Sequence, residues 1–174
     1  LAVQNQKKNN LQIAEKLYRE TLKINPNHVD AHNNLGIILL RLRKSQIAKS
    51  CFEKSIEIDP NHANAHNNLG VVFRQLSEHQ KAKSCYEKAI EINPNHVNAH
   101  NNLGLAFYGL SECKKAIGCY KKAIQIQSNY SDAYWNLHSL ASDIDEALII
   151  LKKLYEFDNK FIKAKIMISA LQGF

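Results

Sequence analysis

The feature that most constrains this chain is a period of 34 residues. Pro26, Pro60 and Pro94 are 34 apart, as are Ala14, Ala48, Ala82 and Ala116, and again Tyr18, Phe52, Tyr86 and Tyr120. Segments 29–62 and 63–96 agree at 20 of 34 positions, and segments 63–96 and 97–130 also agree at 20. A unit this short cannot bury a core by itself. Stacked copies share one, so a fixed period in this range implies an array in which each unit packs on its neighbours.

Within one unit the apolar spacing predicts two helices. In 63–96, Ala65, Leu69, Val72, Phe73 and Leu76 recur at helical intervals over about 64–76, and Ala82, Tyr86, Ala89 and Ile90 do so over about 80–92. Ser77 and Glu78 mark the turn between them, and Pro94 stops the second helix. Gly36, Gly70 and Gly104 lie where the two helices meet, and a missing side chain there permits close approach.

These residues resemble the tetratricopeptide repeat (TPR) family. The matching residues are Leu35-Gly36, Ala48, Phe52, Ser55 and Pro60, then Leu69-Gly70, Ala82, Tyr86, Ala89 and Pro94, then Leu103-Gly104, Ala116, Tyr120 and Ala123, with Ser128 in place of the third proline. His32, His66 and His100 occupy a position that is often aromatic in the family. The resemblance implies an all-α fold, a right-handed superhelical solenoid of antiparallel helix pairs. We divide the chain into a partial repeat at 1–28, full repeats at 29–62, 63–96 and 97–130, a degenerate and shortened repeat at 131–160, and a C-terminal helix at 161–174. In the fourth unit His138 replaces the glycine, and Ala147 follows Ala116 by 31 residues, which predicts a shorter inter-helix turn.

The resemblance also implies that the first helix of each pair lines a concave groove. The helical period then sorts its residues. In the second full repeat Asn64, Asn68, Val71 and Gln75 share a face apart from the core, flanked by Asn67 and Arg74. The corresponding candidates elsewhere are Asn33, Asn34, Ile37 and Arg41, then Asn98, Asn101, Asn102, Leu105 and Tyr108, then Trp135 and Asn136. The stretch AHNNLG occurs three times and carries two adjacent asparagines. Adjacent helical residues differ by about 100°, so the pair cannot share one direction. The second of each pair (Asn34, Asn68, Asn102, with Asn136) is expected to point into the groove, and the first (Asn33, Asn67, Asn101) to one wall. An amide offers two donors and two acceptor lone pairs, which suits a peptide unit. The inward row is similar to the asparagine array in the TPR domain of O-linked N-acetylglucosamine transferase, which implies peptide binding and not sugar transfer. Ile37, Val71 and Leu105 add an apolar strip. A carboxylate-clamp subtype of the family uses lysine and asparagine at sites that hold Asn33, Asn67 or Asn101 and Ile37, Val71 or Leu105 here, which argues against that mode.

The remaining chemistry is sparse. His28 and His32, His62 and His66, and His96 and His100 have the i,i+4 spacing of a metal pair, but no carboxylate or cysteine recurs beside them in every copy. Turn and packing roles are therefore expected, with no metal and no cofactor. No Gly-rich phosphate loop, nucleophile elbow or CxxC occurs, and the reactive residue types all follow the repeat schedule, so no catalytic residue is assigned. Cys51, Cys85 and Cys119 fall at 34-residue spacing. Stacked repeats lie about 10 Å apart, beyond the roughly 7 Å that a disulfide spans, so free thiols and a reducing, cytoplasmic setting are expected.

The net charge is +7, with lysines spread among glutamates rather than clustered. Arg41 and Arg74 are the only groove cations suited to phosphate, and aromatic interleaving is thin, which argues against nucleic acid. No run reaches the length of a membrane-spanning helix. The expected function is a non-catalytic interaction module that takes an extended peptide or partner segment. Two alternatives are the substrate-recruiting arm of a larger transferase, suggested by the absence of an initial Met and the mid-repeat start, and self-assembly. The apolar segment from Phe161 to Phe174 is the candidate self-association surface.

Overall fold

The computed structural model describes residues 10–158 and 161–172. Among the described residues the chain is all helical. It has α1 (Leu11–Ile24), α2 (Val29–Arg41), α3 (Ser45–Ile58), α4 (Ala63–Gln75), α5 (His79–Ile92), α6 (Val97–Gly109), α7 (Cys113–Ile126), α8 (Ser131–His138), α9 (Ile144–Phe157) and α10 (Ile162–Leu171). Helix pairs α2–α3, α4–α5, α6–α7 and α8–α9 follow the repeat, each helix packing on its pair partner. They form a solenoid of helix pairs with two compact units, residues 1–94 and 95–174.

The first helix of each full repeat starts the same way. Asn25 and Asp59 end the preceding helices in extended conformation, and their side-chain oxygens accept the backbone N–H groups of Asn27 and Asn61 at 3.2 and 3.0 Å. This Asx turn carries the chain past proline. His28, His62 and His96 then serve as N-caps, each accepting a backbone N–H through Nδ1, from Ala31, Ala65 and Ala99 at 3.3, 3.0 and 3.2 Å.

The first helix of each full repeat also ends the same way. Arg43, Ser77 and Ser111 adopt left-handed conformations with φ of 59°, 59° and 62°. Beside Ser77, the Glu78 N–H bonds the Phe73 carbonyl at 2.9 Å and the Ser77 N–H bonds the Arg74 carbonyl at 3.0 Å. This is the Schellman arrangement, which satisfies carbonyls the helix would leave orphaned.

Packing between paired helices turns on a glycine–aromatic contact. A Cβ at Gly36 would lie 2.5 Å from the ring of Phe52, and one at Gly70 would lie 2.5 Å from the ring of Tyr86. Gly104 meets Tyr120 in the same way. Phe52, Tyr86 and Tyr120 are in consequence almost wholly buried. In unit one the core joins Ala14 and Tyr18 of α1 to Leu35, Ile38 and Leu39 of α2, Ala48 and Phe52 of α3, and Val72 of α4. Ser55 is buried and donates to the Val29 carbonyl at 3.2 Å.

The fourth repeat departs from expectation in how it shortens. We expected a shorter turn; instead helix α8 has 8 residues where α6 has 13, and the turn is longer. The α9 N-terminus explains this. Asp143 accepts the Glu146 N–H at 2.8 Å, while Glu146 accepts the Ser142 N–H and hydroxyl at 2.8 Å. This reciprocal cap fixes the start of α9 and leaves the preceding residues as loop.

The last helix packs Ala164, with Phe161, Ile168 and Leu171 beside it, against Leu151 and Leu154. Its opposite side exposes Ile162 and Ile166. Residues 173 and 174 of the proposed self-association segment lie outside the described residues, as do residues 1–9 of the partial repeat.

Candidate functional site: the first-helix face

In unit one the face is built by α2 and α4. The asparagine pairs divide differently from expectation. Asn33 and Asn67, expected at a wall, are buried at 6% exposure, whereas Asn34 and Asn68 are half-buried. The reason is a polar contact between successive repeats. Asn68 Nδ2 donates to Asn33 Oδ1 at 2.9 Å, and Asn67 Nδ2 donates to Asn68 Oδ1 at 3.3 Å. A buried amide must find partners, and here the neighbouring repeat supplies one. Asn34 is hydrogen-bonded to the Tyr18 hydroxyl, whose pKa is raised, first by burial, with the Asn34 bond opposing.

In unit two the face is built by α6 and α8, and the same contact recurs. Asn136 Nδ2 donates to Asn101 Oδ1 at 2.9 Å, with Asn101 buried at 4% exposure and Asn102 and Asn136 half-buried. Trp135 takes the register of Asn101. It is half-buried, packs on His138 and Phe161 at centroid distances of 4.4 and 5.3 Å, and lies under Lys163.

A second polar row joins the N-caps. His62 Nε2 lies 3.2 Å from Asp30 Oδ1, and the Tyr130 hydroxyl donates to Asn98 Oδ1 at 2.8 Å. Because Nδ1 of His62 is the acceptor in the cap, Nε2 carries the proton and donates. Histidines 32 and 66, at the family's aromatic position, donate Nε2–H to the Pro26 and Pro60 carbonyls at 2.8 and 3.0 Å. All these histidines thus have bonds within the array. Among the described residues no three metal-ligating side chains cluster.

The other candidates fall into place unit by unit. Ile37 and Val71 are half-buried on the face of unit one, and Leu105 holds the same register in unit two. Asn64, Asn98 and Arg41 are exposed, and Tyr108 is 53% exposed. Arg74 is half-buried, with Nε enclosed. The residue that sequence reasoning placed only in the core, Tyr86, brings its hydroxyl to Arg74. Burial pushes that phenol up to about 12, and the guanidinium beside it pulls the other way. The signal available was the tyrosine itself, since Phe52 fills the same core position without a hydroxyl.

The cysteines are free. Burial raises the Cys51 thiol, and it raises Cys85 to about 11. Among the described residues no helix is long and apolar enough to cross a membrane.

Antiparallel helix pairs at a 34-residue period, joined by in-phase polar contacts, define a helical-repeat interaction module. Models of the tetratricopeptide repeat match residues 29–62, 63–96 and 85–116, together just over half of the chain. The chain belongs to the tetratricopeptide repeat family, whose members are in general non-catalytic modules that bind protein or peptide partners. No curated protein matches it in sequence. Among solved structures it is similar to MamA, at 27% identity over 94% of this chain and 97% of that one, with a TM-score of 0.76. It is similar in fold to TTC0263, a thermophilic TPR protein of Thermus thermophilus, at 21% identity over 100% and 96% of the chains, TM-score 0.85. It is also similar in fold to YrrB, a TPR protein with an unusual peptide-binding site, at 20% identity over 95% and 87%, TM-score 0.69.

Proposed function

We propose that the chain binds an extended segment of a protein partner along the first-helix faces, α2 and α4 in unit one and α6 and α8 in unit two. The observation that carries this reading is the division of labour within the asparagine pairs. Asn33 and Asn101 are buried acceptors that fix the amide planes of Asn68 and Asn136. Asn68 spends one N–H and one lone pair within the array, which leaves one of each at a half-buried position. A held amide loses little further freedom on binding, which favours a peptide backbone as its ligand. Asn34 and Asn102 hold the same register, and Asn64, Asn98 and Tyr108 extend the polar rim. Ile37, Val71 and Leu105 supply apolar contact beside the amides, and Arg41 and Arg74 supply charge.

Panning a randomised peptide library on the protein tests this. Enriched peptides should lose affinity at least tenfold on Ile37→Ser/Val71→Ser, while Lys88→Ser, on a second helix, leaves affinity unchanged and helical circular dichroism is retained in both. Failure to enrich any peptide, or equal loss in both variants, would overturn it.

A second reading, self-association through α10, is favoured by Ile162 and Ile166, exposed at 68% and 63%. It predicts a concentration-dependent mass in light scattering that Ile162→Asp/Ile166→Asp abolishes. A monomer at every concentration would count against it.

A further inference from the structure

Arg74 sits one residue from the end of α4, in the register that Leu40 holds on α2. Its Nε is buried without a hydrogen-bond partner, and the hydroxyl of Tyr86 on α5, a side chain with no exposed surface, is enclosed beside the guanidinium. The two groups lie side by side, and the guanidinium acts on the phenol both by its charge and as a hydrogen-bond donor. Among the described residues no carboxylate pairs with Arg74, although lysines on the second helices find glutamates freely, as Lys54 does with Glu57 and Lys88 with Glu91. One enclosed guanidinium N–H and a full positive charge are therefore left without an anionic partner, which is unusual for enclosed polar groups. A planar guanidinium matches a carboxylate in fork geometry. The chain's +7 charge favours an acidic partner.

We propose that Arg74, held in place by Tyr86 beneath it, forms a carboxylate subsite, which takes an aspartate or glutamate side chain of the partner segment bound on α2 and α4. This rests on the function proposed above and names the partner's chemistry. Val71 lies three residues before Arg74, about 4.5 Å along the axis. An extended segment advances about 3.3 Å per residue. The acidic residue thus falls one or two positions from the apolar residue that contacts Val71.

The test uses the peptides enriched by the library and their Asp→Asn or Glu→Gln counterparts, measured by fluorescence anisotropy. On the unaltered protein the acid-to-amide change should weaken binding about tenfold. On Arg74→Gln the two peptides should bind alike, with the amide peptide bound as before. Arg74→Lys should keep part of the preference, and Tyr86→Phe should reduce it. Thermal melts of the variants check folding. Binders without an acidic preference overturn the subsite while leaving the groove reading intact, and so does an Arg74→Gln variant that weakens both peptides equally. A library without binders removes both. Salt-sensitive binding of a labelled single-stranded oligonucleotide that Arg74→Gln abolishes would assign the pair to phosphate and overturn the acidic-peptide assignment.

Discussion

The adjacent asparagines of AHNNLG look equivalent in sequence and behave oppositely in the fold. The helical period separates their directions by about 100°, so that they would differ was readable. Which one would be buried was not, because Asn33 and Asn101 are enclosed by side chains a full repeat away, Asn68 and Asn136. No local pattern reports that reach. The paired amides make a direct prediction. A double-mutant cycle on Asn101→Ala and Asn136→Ala, read by urea denaturation, should give a coupling energy of about 0.5–1.5 kcal/mol. Strict additivity would mean that the 2.9 Å contact contributes nothing to stacking. The histidines show the same limit. Their i,i+4 spacing is that of a metal pair, and sequence weighs against it by the missing third ligand and by the turn and packing positions the histidines hold. That His28, His62 and His96 would cap helices through Nδ1 required knowing the backbone at the turn.

At the scale of helices and turns, sequence was most informative where a residue type has one physical use. Glycine at 34-residue spacing, with an aromatic 16 positions later, announced close helix approach, and Gly36–Phe52, Gly70–Tyr86 and Gly104–Tyr120 realise it. Gly70→Ala should therefore cost about 1–3 kcal/mol, since a buried ring must move. Gly118 is the contrast. It lies mid-helix in α7 with open space around its Cα, so Gly118→Ala should stabilise by about 0.5–1 kcal/mol. Thermal melts of the two variants should shift in opposite directions, and shifts of the same sign would contradict the packing. Turns were less legible. Arg43, Ser77 and Ser111 take left-handed backbone where glycine is usual, so the residue identity gave no warning. In the fourth repeat, counting residues located the deletion but not its form. The cap at Asp143 decided that the helix, and not the turn, would be cut.

For the molecule as a whole, the histidines set a pH dependence. Burial holds His96 and His138 below their ordinary value of 6.5. In the unfolded chain these groups protonate near 6.5, while in the folded chain they resist protonation until lower pH. Just below 6.5 the unfolded state thus binds more protons, and stability falls as pH falls. It is fully present above 6.5. The cap at His96 fits the trend, since a proton on its Nδ1 cannot coexist with its acceptor role. Chemical denaturation at pH 7.5 and at pH 5 should show a lower midpoint at the acid end, and His96→Asn, which keeps a cap without titrating, should flatten the difference. An acid midpoint equal to the neutral one would count against this.

The in-phase bond from Asn68 to Asn33 carries a consequence for how such a chain can change length. Excising 63–96 whole would bring Asn102 to the place of Asn68, again opposite Asn33, and His62 would still cap the helix that follows. The amide row and the cap would each meet the kind of partner they lost. Copy number is therefore a free variable of this architecture, because duplication or loss of a complete unit keeps the amide row in phase, whereas a shorter edit needs a new cap such as the one at Asp143.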